Sequence, residues 1–210
     1  MRTADALESR LWLAALLCAL ATLAIGAVVA NRPPARIDVE AAALRGGAVP
    51  TALFFTALGR WPALIGLGAV AAGIALSVRT GLSAVAVLLA AQALSQAANM
   101  LLKLGFHRAR PDAWLQIRET DLSFPSGHAV SAVVLFVGFA LLVWHAPLPR
   151  PLAAVFVAAL LVCAVGISWS RLALGAHYLT DVVGGLLFGA AFLCAALAII
   201  LRFTSAANAQ

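Results

Sequence analysis

Residues 11–30 read LWLAALLCALATLAIGAVVA, an uninterrupted apolar run of about 20 residues. At 1.5 Å of rise per helical residue, such a run matches a hydrocarbon core roughly 30 Å thick. It reads as a first transmembrane helix that stays attached. The run exceeds the apolar stretch of a typical cleaved signal peptide, and Asp5 and Glu8 spoil the basic segment that such a peptide carries. Working outward, apolar runs recur at residues 62–78, 81–102, 129–144, 151–167 and 182–201, which makes six spans. These runs lack the alternation of a barrel strand, and an open sheet edge cannot be satisfied in lipid. The expected fold is therefore all-α, a polytopic bundle of six transmembrane helices forming one membrane-embedded domain over residues 1–210.

Composition agrees with that reading. Of the 210 residues, 64% are hydrophobic and 10% charged, against about a quarter charged in a soluble domain. A chain this short has too few polar residues to cover four or more long apolar segments as a soluble core. The net charge of +6 admits nucleic acid, an anionic membrane surface or an anionic substrate as partner. No basic run is interleaved with aromatics, and several cations instead crowd between Lys103 and Arg118. That favours a small anionic group and disfavours nucleic acid. Cys18, Cys163 and Cys194 lie singly inside apolar runs, so neither disulfides nor zinc ligation is expected.

Between the first two spans, residues 31–60 open on the breaker Asn31-Arg32-Pro33-Pro34 and continue into a weakly amphipathic stretch, Ile37 to Leu44. Leu53, Phe54, Phe55 and Leu58 then fit either an interfacial helix or an early start of span two. In span three, Gln92, Gln96, Asn99 and Lys103 recur every three or four residues and share one face. That face fits interhelical hydrogen bonding or a polar wall leading to a site at Lys103. Gly185 and Gly189 in span six form a GxxxG packing surface.

The remaining polar residues gather in three clusters at span ends. These are Lys103 with Arg110-Pro111, then Pro125-Ser126-Gly127-His128, then Ser170-Arg171 with His177 and Asp181. The first two share the loop between spans three and four. Spans four and five return the chain to the same face, so the third cluster meets them there.

These strings match, without substitution, the signature KxxxxxxRP, PSGH and SRxxxxxHxxxD, and the chain thereby resembles the type 2 phosphatidic acid phosphatase family. The order of spans also looks like the six-helix bacterial membrane members of that family, whose site is shared with soluble vanadium haloperoxidases and acid phosphatases. The resemblance implies a metal-independent lipid phosphatase without cofactor, acting through a phosphohistidine. Lys103, Arg110 and Arg171 are then the cations that bind the phosphoryl oxygens, aided by Ser126 and Gly127 with backbone N–H groups at the start of span four. His177 is the implied nucleophile, Asp181 its orienting partner one turn later, and His128 the general acid. His107, Arg108, Trp114 and Arg118 fall outside the signature and read as surface or headgroup-contacting residues. His145 belongs to the opposite face.

The signature describes the phosphoryl pocket and leaves the lipid open. Phosphatidic acid, phosphatidylglycerol phosphate, undecaprenyl pyrophosphate and lipid A phosphates all fit, with an isoprenyl pyrophosphate or a glycerolipid phosphate favoured. A lipid phosphotransferase would use the same site. A non-enzymatic transporter or lipid-binding protein is a more distant alternative, since headgroup attraction alone does not require His177 and Asp181 at their spacing. Loop cations divide six to five between the faces once Lys103, Arg110 and Arg171 are set aside, so charge does not orient the chain. By resemblance the site faces the periplasm or outside of a bacterial inner membrane.

Overall fold

The structure, a computed structural model, describes residues 2–77, 81–112, 119 and 121–207. Among them no strand occurs. The helices in order are α1 (Arg2–Val29), α2 (Arg36–Ala41), α3 (Val49–Leu58), α4 (Trp61–Ser77), α5 (Leu82–Phe106), α6 (Gly127–Ser131), α7 (Gly138–His145), α8 (Arg150–Ala173) and α9 (Leu179–Ala207). A 3-10 turn, Ala42–Leu44, follows α2, and a π-helical stretch, Ala132–Val137, joins α6 to α7 so that Gly127–His145 forms one span.

Among the described residues, five helices are long and apolar enough to cross a membrane. The segment expected as span two appears as α4, whose 17 residues cover about 25 Å at the helical rise, a little less than a hydrocarbon core. Val78 lies outside the described residues. Each of the longer helices overruns its apolar run; α5, expected over 81–102, continues to Phe106, and α9, expected from 182, begins at Leu179. The reason is physical: apolar residues mark only the hydrocarbon layer, whereas backbone hydrogen bonding carries the helix on into the polar interface.

Leu101 and Val165 are each 70% exposed. Surfaces of that kind suit a lipid solvent, since contiguous exposed apolar area is avoided in soluble monomers. The buried apolar core includes Leu88, Val130, Leu135 and Ile167.

α9 is the organising helix. Along one side it packs on α1, where the Thr22 hydroxyl reaches the Gly184 carbonyl at 3.4 Å. On the other side the GxxxG pair meets the span that follows Ser126. A Cβ at Gly185 would lie 2.5 Å from the Ser126 carbonyl oxygen, and one at Gly189 2.9 Å from that of Val130. Only glycine permits this backbone approach, and it draws the Pro125–His128 segment against the start of α9. The polar face of α5 points the same way. Gln92 donates to the Ser131 hydroxyl (2.7 Å), and Gln96 donates to that hydroxyl (3.0 Å) and to the Gly127 carbonyl (3.1 Å).

Residues 31–60 resolve into a bent pair, Arg36–Leu44 and Val49–Leu58, at 111°. The Leu53–Leu58 stretch is not the start of span two, which begins after a break at Gly59 and Arg60. It belongs to α3, which docks on α8 with the Phe55 ring filling the space over Gly166, and it ends at Gly59.

Candidate active site

The site assembles where α5 ends, α6 begins, and α8 hands over to α9. His107 closes α5 in a left-handed conformation (φ 50°), its N–H returning to the Lys103 carbonyl at 3.0 Å. That turn leaves Lys103 on the last helical turn and throws Arg108 and Arg110 across the top of the bundle. The two ends of the following loop are then joined by the Ser123 N–H and the Arg108 carbonyl, 2.8 Å apart.

The third cluster owes its spacing to the C-cap of α8. Gly175 takes φ 67°, and the N–H groups of Ala176 and His177 both fold back on the Arg171 carbonyl, at 2.9 and 3.2 Å. Six residues of chain therefore bring His177 back over Arg171. Asp181 sits in the first turn of α9 and accepts the Tyr178 N–H on Oδ2 at 2.8 Å. This leaves the same oxygen 3.4 Å from His177 Nδ1.

Three buried cations converge beside His177. Lys103 pairs with Asp121 at 2.9 Å and donates to the Leu122 carbonyl. Arg110 pairs with Glu119 at 2.9 Å, contacts the Asp121 carboxylate and donates to the Ala176 carbonyl at 2.9 Å. Arg171 pairs with Glu119 at 2.7 Å and donates to the Thr56 hydroxyl. Glu119 thus bridges two guanidinium groups as one anionic bidentate group. Burial pushes the Glu119 carboxyl up, but the charges of Arg171 and Arg110 outweigh it and hold it below the usual carboxylate range. Asp121 is held down likewise, burial being outweighed by Lys103 and then Arg110.

The tautomer of His177 follows from its neighbours. Arg110 Nη1 lies 2.8 Å from His177 Nε2, and a guanidinium can only donate. Nε2 is therefore the bare lone pair, and the ring proton sits on Nδ1, facing Asp181 and the Ser123 hydroxyl at 3.5 Å. Burial first, then Arg110, Arg171 and Lys103, keeps this imidazole well below its usual pKa, so it is neutral. A neutral imidazole with its unprotonated nitrogen toward a cation is the form a nucleophile toward an anionic phosphoryl group requires.

His128 lies on α6 with its ring against Gly59, where a Cβ would come within 2.5 Å of Cδ2. Its Nε2 is buried and without a hydrogen-bond partner among the described residues, as are Ser126 Oγ and Arg171 Nε. Such atoms call for a polar ligand to satisfy them. The Ser126 N–H, expected to face an anion, is instead bonded to the Asp181 carbonyl at 3.0 Å. Gly127 lies against the Gln96 and Asn99 amides. Pro125 precedes the helix cap Ser126 and so stands just outside α6.

Arg108 corrects the sequence reading. It is 3% exposed, too deep for a surface or headgroup contact, and it bridges Asp181 (2.5 Å) and Asp38 (2.8 Å). Asp38, Glu119 and Ser123 were not singled out by the sequence at all. The available signal was weak: an acidic residue inside the amphipathic stretch 37–44, and an arginine two positions before Arg110. His107 is exposed, as expected. His145 is exposed at the opposite end of the bundle, and Trp114 and Arg118 lie outside the described residues.

A family model for the PAP2 superfamily matches residues 83–205, a stretch holding all three clusters. The chain belongs to the PAP2 superfamily. It is similar to the phosphatidylglycerophosphatase B of Bacillus subtilis, 39% identical over 93 residues that make 43% of this chain and 45% of that protein. It is also similar to a lipid A 1-phosphatase of Rhizobium johnstonii, 37% identical over 102 residues, 44% of this chain and 38% of that one. The chain thus matches less than half the length of these curated relatives. Among solved structures, a transmembrane PAP2-type phosphatidylglycerolphosphate phosphatase from Bacillus subtilis superposes with a TM-score of 0.65 at 27% identity, over 94% of this chain and 96% of that one. The PAP2 chain described here is accordingly an integral membrane protein of helical-bundle fold.

Proposed function

We propose that this chain is a membrane lipid phosphatase that cleaves a lipid phosphomonoester or pyrophosphate through a phosphohistidine on His177. The observation that carries this reading is the Glu119 carboxylate, held by Arg110 and Arg171 next to the bare Nε2 of His177. Anionic oxygens already sit where phosphoryl oxygens would, one contact away from a neutral nucleophile.

A substrate phosphate displaces Glu119 and Asp121 and takes over Lys103, Arg110 and Arg171, the two arginines offering planar forks and the lysine a point charge. Nε2 attacks phosphorus in line, and the developing imidazolium keeps its Nδ1 proton against Asp181. The bond to the leaving oxygen breaks as His128 delivers a proton to it. Water then attacks the phosphohistidine, giving its proton to His128, and inorganic phosphate leaves. The lysine and arginines act on charge spread over the equatorial oxygens, which is where phosphoryl transfer most needs stabilisation.

The relatives act, by name, on phosphatidylglycerol phosphate and lipid A, and a glycerolipid phosphate or an isoprenyl pyrophosphate is the substrate class we assign. The whole of 1–210 acts as one membrane-embedded unit with the site facing the periplasm. A reporter fused after Arg202 should then be active only in the cytoplasm, since α9 carries the chain from the site to the opposite face. The deciding experiment is phosphate release by detergent-purified protein from a panel of lipid phosphates in EDTA, beside His177→Ala. Release that the substitution abolishes supports the reading, and no release by folded protein from any lipid overturns it.

A further inference from the structure

Asp181 is held from both sides. Its Oδ2 accepts the Tyr178 N–H and the Ser123 hydroxyl and faces His177 Nδ1. Its Oδ1 is gripped by Arg108, which stacks over the Tyr178 ring at 4.4 Å from its centroid. The other arm of Arg108 holds Asp38 Oδ2, and Asp38 in turn accepts the N–H (2.8 Å) and the hydroxyl (2.9 Å) of Thr180. The side chains of Asp38 and Asp181 are fully buried and that of Arg108 is 4% exposed. None of the three lies among the phosphate-binding cations.

From this arrangement we infer that Asp38 and Arg108 are positioning residues for the His177 nucleophile, acting through Asp181. The inference rests on the phosphatase reading above.

Charge explains why two extra residues are needed. Two carboxylates are packed this deep, and Arg108 stands between them as their shared cation. Arg108 alone, however, would reduce Asp181 to a neutral pair with nothing left to balance an imidazolium. Asp38 restores the missing charge: two carboxylates and one guanidinium leave the relay at −1 beside a ring that becomes cationic on attack. The fork also blocks rotation of the Asp181 carboxylate, so one oxygen always faces Nδ1 and the tautomer with a bare Nε2 persists. Arg110, Arg171, Lys103 and Glu119 also bear on His177, Arg110 from the Nε2 side of the ring. Asp38 lies in α2, outside the stretch matched by the superfamily, so this chain recruits the loop between α1 and α3 into its site.

The test is steady-state kinetics of Asp38→Asn in the full chain, beside wild type, Asp181→Asn, the double variant and His177→Ala. Wild-type release that is lost in His177→Ala establishes the underlying reaction. Asp38→Asn should then lower kcat by about 10- to 100-fold, less than the roughly 10⁴-fold typical of removing the orienting carboxylate itself, with KM changed by under about twofold. Its acid limb should move to lower pH, because an anion that favours the imidazolium has gone. In the Asp181→Asn background the same substitution should have little effect. A merely structural role would leave the acid limb in place and add its loss to that of Asp181→Asn, and either result overturns the inference while leaving the phosphatase reading intact. Wild type without activity defeats both. If Asp38→Asn does not fold, Asp38→Glu keeps the charge on a displaced oxygen; it should lower kcat at unchanged KM and leave the acid limb where it is, and an unaltered kcat overturns the inference.

Discussion

Gly59 tests the role of His128 from a position that no motif contains. Its backbone, at φ −83° and ψ 0°, suits alanine, so a substitution acts through space and not through strain. An added Cβ would lie 2.5 Å from His128 Cδ2 and 3.0 Å from Ile167 Cγ2, where ordinary contact begins at 3.4 Å. The imidazole must therefore retreat by about 0.9 Å, the difference between 3.4 and 2.5 Å. A misplacement of about 1 Å costs on the order of 100-fold in rate, or about 2.7 kcal/mol at 1.36 kcal/mol per decade. Gly59→Ala should accordingly lose about 100-fold in kcat/KM, which reads formation of the phosphohistidine before water enters, on an alkyl lipid phosphate, whose alkoxide needs a proton as it leaves. On p-nitrophenyl phosphate, whose leaving group needs none, the loss should be several-fold at most. Gly66→Ala is the control, because nothing lies within 4 Å of a Cβ there. Full activity of folded Gly59→Ala on the alkyl substrate, or equal losses on both substrates, would refute the assignment of His128 as general acid.

Three further outcomes follow from the same geometry. Glu119→Gln removes an internal competitor for Arg110 and Arg171; with two charge-assisted contacts together worth about 2 kcal/mol, KM should fall by roughly threefold to thirtyfold, and a raised KM in a substrate titration would contradict the displacement step. Because burial and three cations depress His177, the unprotonated nucleophile persists below the ordinary histidine pKa of about 6.5, so the acid limb of the kcat/KM profile should fall below that value; a limb at or above it would count against His177. The unfolded chain binds that proton first, so thermal stability should also decline as pH falls below about 6.5. Gly185→Ala drives a Cβ to 2.5 Å from the Ser126 carbonyl oxygen, and pushing α6 off α9 should cost about 1–3 kcal/mol of stability together with activity; unchanged melting in detergent would show that the contact has slack.

What the sequence revealed of this site, and what it concealed, divides along a physical line. Lys103, Arg110, Arg171, His177 and Asp181 were legible because each stands at a fixed offset from a helix end. The left-handed His107 and Gly175 translate those offsets into position, so spacing alone carries the geometry. The apolar runs gave the spans for a similar reason, since a lipid solvent writes its thickness directly into composition. Asp38 and Arg108 obey no such offset. They meet Asp181 through contacts 70 and 73 residues apart, and nothing in a six-residue helix such as α2 announces that its one buried residue, Asp38, is a carboxylate awaiting a guanidinium. Arg108 was misread for a related reason. A cation at the end of a membrane span normally reaches for headgroups, and only a buried partner on each side makes the opposite conformation favourable. Offsets along one chain survive without knowledge of the fold, whereas a buried charge is intelligible only once every group around it has been placed.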